Sequence, residues 1–115
     1  MFDLDNVVAE DVQENDLEEV VMGLIINSGQ ARSLAYAALK KAKQGDFEAA
    51  KATMDQSRIA LSEAHRVQTQ LIESDEGEGR MKVSQVLVHA QDHLMTSMLA
   101  RELVAELIEL HEKVQ

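Results

Sequence analysis

Apolar side chains recur every three, four or seven residues along three separate stretches of the chain. That spacing places them on one face of an α-helix, since a helix has about 3.6 residues per turn. The first stretch carries Leu17, Val20, Leu24, Ala31, Ala35, Ala38 and Ala42, the second Phe47, Ala50, Met54, Leu61, Ala64 and Leu71, and the third Val88, Met95, Leu99 and Leu103. The pattern predicts three helices, over about residues 16–44, 46–74 and 81–113.

Turn-forming residues separate these stretches. Gly45 suits the left-handed conformation that ends a helix, and Asp46 can cap the next one. Residues 74–80, SDEGEGR, combine two glycines with three acids and predict the second turn. At the start, Asn15 with Glu18 three residues later resembles a capping box. The acidic segment 1–14 lacks periodicity, which predicts a mobile tail ahead of one helical domain, residues 15–115.

The predicted fold is all-α, an antiparallel three-helix bundle, because short connections favour an up-down-up arrangement. Helices of about 28 to 34 residues would be about 42 to 50 Å long, so the bundle should be elongated and prone to lateral self-association. Two glycines, Gly23 and Gly29, lie inside the first predicted helix. Glycine is unfavourable there, so we expect another helix or a ligand to approach them closely.

The third helix interrupts its apolar run with four polar residues, His89, Gln91, Asp92 and His93. Asp92 lies within one apolar stripe, which contains Val88, Asp92, Met95, Leu99 and Leu103 and is called the outer stripe below. A second stripe, Leu87, Leu94 and Met98, lies about a third of a turn away. A helix with two apolar stripes can pack into its own bundle with one and against other subunits with the other.

Copies of Asp92 would converge if the outer stripe lined a symmetry axis. Two carboxylates about 4 Å apart repel by roughly 4 kcal/mol at an effective dielectric constant of 20, so such a cluster needs a cation or shared protons. Oxygen-only ligands favour a hard ion such as Mg²⁺. The alternative is that Asp92 reaches a local hydrogen bond at the edge of the stripe.

His89 is the candidate nucleophile, since a neutral imidazole has a nitrogen lone pair that can carry a phosphoryl group. Gln91, His93 and Thr96 could then hold the phosphoryl oxygens. Zinc is a weaker alternative, because HAQDH lacks the glutamate of HExxH and no third nitrogen ligand is evident. An ordinary core or surface histidine remains the other alternative.

Composition narrows the class of protein further. The chain has no cysteine, so it holds no disulfide and any thiol chemistry must come from a partner; this agrees with a cytoplasmic location. A formal charge of -10 argues against binding to nucleic acid or to anionic lipid. The apolar runs are only a few residues long, so neither a signal peptide nor direct membrane insertion is expected.

Three runs of sequence closely resemble enzyme IIA of the bacterial sugar phosphotransferase system, lactose/cellobiose family, and within it the N,N'-diacetylchitobiose branch. They are LEEVVMGLIINSGQARSLAYAALKKAKQGDFEAAK, LSEAHRVQTQLIE and VSQVLVHAQDHLMTSMLARELVAELIELHEK. The resemblance covers about residues 17–113 and centres on HAQDH.

This resemblance implies a homotrimer whose subunits form a nine-helix bundle. It implies that Nε2 of His89 accepts a phosphoryl group from the phosphocarrier protein HPr and delivers it to a cysteine of the cognate enzyme IIB, during uptake of chitobiose/cellobiose-type disaccharides. It also implies that Asp92 meets its two symmetry mates around one Mg²⁺ per trimer on the threefold axis.

Other functions remain open from the residues alone. A histidine phosphotransfer domain of a signalling relay is also helical, but it usually follows its histidine with Lys and Gly, whereas Ala90 and Gln91 stand here. In a structural or adaptor bundle, Asp92 would only set oligomer register. A metal-binding bundle is the third alternative, and the test for it is whether Asp92→Leu removes the metal without disturbing phosphoryl transfer.

Overall fold

Three long helices make up the computed structural model, which describes residues 14–75 and 84–115. They are α1 (Glu14–Lys43), α2 (Phe47–Asp75) and α3 (Gln85–Lys113), and the described residues include no strand. The all-α prediction is therefore confirmed. Most of the predicted N-terminal tail, residues 1–13, and most of the predicted second turn lie outside the described residues.

Two of the three helices begin at residues other than the predicted ones. α1 begins at Glu14, so the predicted cap at Asn15 lies inside the helix. α3 begins at Gln85 and not near Met81, because Ser84 has extended backbone angles (φ -125°, ψ 164°) and caps the helix. Its hydroxyl accepts a hydrogen bond from the Leu87 amide at 3.1 Å, which satisfies one of the free amides of the first turn.

The turn between α1 and α2 has the predicted chemistry. Gly45 has φ 84°, a left-handed conformation that a side chain would strain. Its amide donates to the Ala42 carbonyl at 3.0 Å and closes the end of α1. Asp46 then accepts the Ala49 amide at 3.1 Å and caps α2. Both predictions for this turn are confirmed.

α1 is the central helix, because it packs along both α2 and α3 whereas those two helices touch each other much less. Its small side chains allow this close approach: Ala31, Ala35, Ala38 and Ala42 are fully buried. One core cluster joins the start of α1, the end of α2 and the start of α3. The other joins the opposite ends of the same helices. α2 therefore runs antiparallel to α1 and α3, as the up-down-up prediction requires.

The buried residues outside the two apolar clusters include three serines at 0% exposure: Ser28, Ser57 and Ser97. The Ser57 hydroxyl donates to the Ala31 carbonyl at 2.6 Å and ties α2 to α1. The bundle is elongated, with extents of 55 × 24 × 19 Å and a radius of gyration of 16.7 Å, against about 13 Å for a compact 100-residue domain. None of the helices in the described part of the chain is both long and apolar enough to span a membrane.

The two apolar stripes of α3 have opposite environments. Leu87 and Leu94 of the second stripe are buried in the bundle. The outer stripe points away from the bundle: Val88, Met95, Leu99 and Leu103 are 52%, 57%, 54% and 56% exposed. It continues along the helix with exposed Leu107, Leu110 and Val114. Residues 14–75 and 84–115 therefore leave a largely apolar face of α3 uncovered, more than scattered surface residues would explain.

Candidate functional site

The site begins at the N-terminus of α3, where the Ser84 cap fixes the first turn. This start places His89 in the second turn and His93 one turn beyond it. The two imidazoles lie on the same side of the helix, since residues four apart are neighbours on a helix surface. Their ring centroids are 5.9 Å apart and the ring planes differ by 7°. The structure therefore brings the predicted nucleophile and one predicted neighbour together.

An open depression of about 570 Å³ surrounds His89. Ser84, Gln85, Val88, His89 and Asp92 line it, and the His89 side chain is exposed. The depression lies at the positive end of the α3 dipole, where partial positive charge and free amides favour an anion. An accessible imidazole at such a place suits a group that must receive and release a phosphoryl group.

His93 is half-buried between α3 and α1. Its Nε2 lies against Gly29 of α1, where a Cβ would be only 3.3 Å away. Burial lowers the pKa of His93 below its usual value, Arg32 and His89 when protonated lower it further, and Asp92 opposes them. His93 is therefore neutral at pH 7, with one nitrogen able to donate a hydrogen bond and one able to accept.

The lowered pKa of His93 predicts a loss of stability in mild acid. Between its folded pKa and the ordinary value near 6.5, the unfolded chain binds a proton that the folded chain does not, so stability is complete above about pH 6.5 and falls as the pH drops below it. The midpoint of urea unfolding should fall more between pH 7.5 and 5.5 in the wild type than in His93→Gln. Equal pH dependence in the two proteins would contradict a lowered pKa of His93 in the folded chain.

Gln91 and Thr96, the other predicted phosphoryl neighbours, lie farther from His89. Gln91 is two residues on, about 200° round the helix, so within one chain it does not face His89. Thr96 is on the same side but about two turns away. Its hydroxyl lies 2.9 Å from the Asp92 carbonyl and 3.2 Å from the His93 carbonyl, to which it donates. A phosphoryl contact for either residue stays a prediction.

Asp92 is exposed within the outer stripe, and it also lines the depression around His89. Over residues 14–75 and 84–115, no three acidic, histidine or cysteine side chains of one chain are close enough to hold a metal ion.

Two residues of α1 were not identified as part of the site from the sequence. Arg32 acts on His93 across the helix interface, although 61 residues separate them in the chain. Glycine is unfavourable inside a helix, so the sequence indicated a close neighbour at Gly29, but it did not indicate which residue that neighbour is. The same argument predicted a close neighbour at Gly23. No described atom would lie within 4 Å of a Cβ there, so that prediction is wrong within a single chain.

Comparison with known proteins identifies the family to which this chain belongs. Residues 19–112 match the family model described as PTS system, lactose/cellobiose specific IIA subunit. The chain is 77% identical over 115 residues to the PTS system N,N'-diacetylchitobiose-specific EIIA component of Escherichia coli K12, covering 100% of this chain and 99% of the relative.

Two solved structures share the fold. The IIA(Chitobiose) chain, solved in complex with HPr of the E. coli N,N'-diacetylchitobiose branch, superposes with a TM-score of 0.76 at 85% identity, over 85% of this chain and 95% of that one. The cellobiose-specific enzyme IIA of Bacillus anthracis gives a TM-score of 0.81 at 44% identity, over 84% and 89%. The protein therefore belongs to the lactose/cellobiose-specific IIA subunit family of the phosphotransferase system.

Proposed function

We propose that His89 is the residue on which this IIA subunit carries a phosphoryl group. The observation that carries the proposal is the exposed imidazole of His89, set beside a neutral His93 in an open depression at the positive end of α3. HPr is the proposed donor, because a relative 85% identical over most of this chain has been solved with HPr.

The proposed reaction is a pair of phosphoryl transfers. The lone pair on Nε2 of neutral His89 bonds to phosphorus as the bond from phosphorus to the HPr histidine nitrogen breaks. In the second step a thiolate of enzyme IIB bonds to phosphorus and the bond from Nε2 breaks, which returns His89 to its neutral form. Such transfers need positioning and charge stabilisation more than covalent help from the protein. The helix N-terminus provides positive charge near His89, and Arg32 provides it near His93.

The donor and acceptor steps can be tested together. We expect the protein to gain one phosphoryl group per chain after incubation with phosphoenolpyruvate, enzyme I and HPr, and to lose it when the IIB component of an N,N'-diacetylchitobiose system is added. Intact mass spectrometry measures both changes. A protein that gains no group, or that keeps it in the presence of IIB, would contradict the carrier role. The choice of sugar branch and a cytoplasmic location rest on the 77% identity to the E. coli component.

The outer stripe of α3 supports a homotrimer with three parallel α3 helices at its centre. Its apolar residues, from Val88 to Val114, are exposed in the single chain and continuous along the helix. Burying such side chains contributes on the order of 1 kcal/mol each when about half of each is covered. Nine helices, the three described here from each chain, would then share one bundle.

Asp92 would meet its two symmetry mates in such a trimer. Three carboxylates are a suitable donor set for Mg²⁺, which prefers oxygen ligands and keeps several waters. The exposed position of Asp92 within the outer stripe supports this site. One Mg²⁺ per trimer, on the threefold axis, would neutralise charges that otherwise repel.

Replacing Asp92 should make the trimer independent of the metal. In the wild type, EDTA should promote dissociation, because uncompensated carboxylates repel by roughly 4 kcal/mol per pair at about 4 Å. Asp92→Asn has nearly the same shape but no charge, so its trimer should be unaffected by EDTA. Analytical ultracentrifugation at several protein concentrations measures both. An equal effect of EDTA on the two proteins would exclude Asp92 as the metal ligand.

A further inference from the structure

Two glycines occupy interior positions of α1, and the structure distinguishes them sharply. A Cβ built on Gly29 would lie 3.3 Å from Nε2 of His93. A Cβ built on Gly23 would meet no described atom within 4 Å. Glycine is unfavourable inside a helix relative to alanine. Of these two positions, only Gly29 has a side chain of the candidate site close enough to resist replacement of the glycine by alanine.

The atom that faces Gly29 is a hydrogen-bonding nitrogen. The His93 ring lies parallel to the His89 ring, with centroids 5.9 Å apart. Nε2, at the edge of the His93 ring, lies next to the position that a Cβ of residue 29 would occupy. The imidazole is therefore close both to the candidate nucleophile and to a point on α1 that has no side chain. A methyl group there would push the ring by a few tenths of an ångström and cover Nε2 with an apolar group.

We propose that Gly29 is a positioning residue of the phosphoryl site: its missing side chain keeps the imidazole of His93 in register with His89 and leaves Nε2 free to hydrogen-bond. This proposal rests on the proposed function of His89. In it, His93 donates a hydrogen bond to an oxygen of the phosphoryl group on His89, and Gly29 fixes the distance. The charged groups that act on His93 are Arg32 from α1, and His89 and Asp92 from α3.

Gly29→Ala and Gly23→Ala form a matched pair, since both place the same residue in the same helix. Alanine favours helix, so both variants should fold, which circular dichroism checks. The first readout is the ¹⁵N NMR chemical shifts of the His93 ring. We expect them to change in Gly29→Ala and to match the wild type in Gly23→Ala, a difference that a general change in helix stability would not produce.

The second readout is the rate of phosphoryl transfer from phospho-HPr. Small misplacements in an active site are costly, with 1 Å worth about 100-fold, so we expect Gly29→Ala to be roughly tenfold slower. Gly23→Ala should keep the wild-type rate. In a His93→Ala background, the change at Gly29 should have no further effect, because the ring it displaces is gone.

Two results would overturn the proposal. One is a Gly29→Ala protein whose His93 signals match those of Gly23→Ala. The other is an equal slowing by Gly29→Ala with and without the His93 ring, which would place the effect elsewhere. If the wild type takes no phosphoryl group at all, the proposed function fails, while the His93 signals still show whether Gly29 sets the position of the ring.

Discussion

His89→Ala should take up no phosphoryl group from phospho-HPr under conditions in which the wild type is fully modified. The alanine removes the only imidazole that lines the depression at the start of α3 among the described residues. His93 does not replace it, because its half-buried side chain is not among the residues that line the depression. Intact mass after incubation with phosphoenolpyruvate, enzyme I and HPr gives the result directly.

His65→Ala is the matched control. His65 is an exposed histidine on α2, outside the depression around His89, so its removal should leave the adduct in place. Because His89 is exposed, the His89→Ala chain should keep the fold, and circular dichroism and sedimentation check that it does. An adduct on a correctly folded His89→Ala protein would assign the carrier role to another residue.

Leu103→Lys should dissociate the proposed trimer. Leu103 is 56% exposed in the single chain and lies near the middle of the exposed apolar residues that run from Val88 to Val114. Three lysines there would lose the apolar burial of the leucines, about 1 kcal/mol per chain and about 3 kcal/mol per trimer, and would add three like charges that are costly to desolvate. Sedimentation velocity at micromolar concentration should show a trimer for the wild type and a smaller species for the variant.

Glu102→Lys is the control for this change. It introduces the same side chain one residue earlier, at an exposed position about 100° round the helix from Leu103. The control should sediment like the wild type. If Leu103→Lys remained a trimer, the apolar face of α3 would not be the subunit interface.

The helical bundle was predictable because local rules determine most of it. The three-and-four spacing of apolar residues gave three helices, and the single turn at Gly45 and Asp46 carried both a left-handed glycine and a cap. The elongated shape followed from helix length alone, since three helices of this length exceed the diameter of a compact domain. The two stripes on α3 predicted one buried and one exposed apolar face, as observed.

The parts that sequence reasoning missed depend on contacts between helices or on weak local signals. The apolar pattern predicts a start of α3 near Met81 because it does not mark the first residue of the helix, whereas the Ser84 cap does. The contact between Gly29 and His93 joins residues far apart in the chain, and helical spacing does not predict which residues of two helices meet. The effect of Arg32 on His93 was missed for the same reason.

The central claim is that Nε2 of His89 carries the phosphoryl group. NMR of the ¹⁵N-labelled, phosphorylated protein tests it most directly, because coupling between ¹⁵N and ³¹P identifies the bonded nitrogen. The account predicts one coupled ring nitrogen, Nε2 of His89. Coupling to a nitrogen of His93, to Nδ1 of His89, or to no ring nitrogen in a protein that carries the group would contradict it.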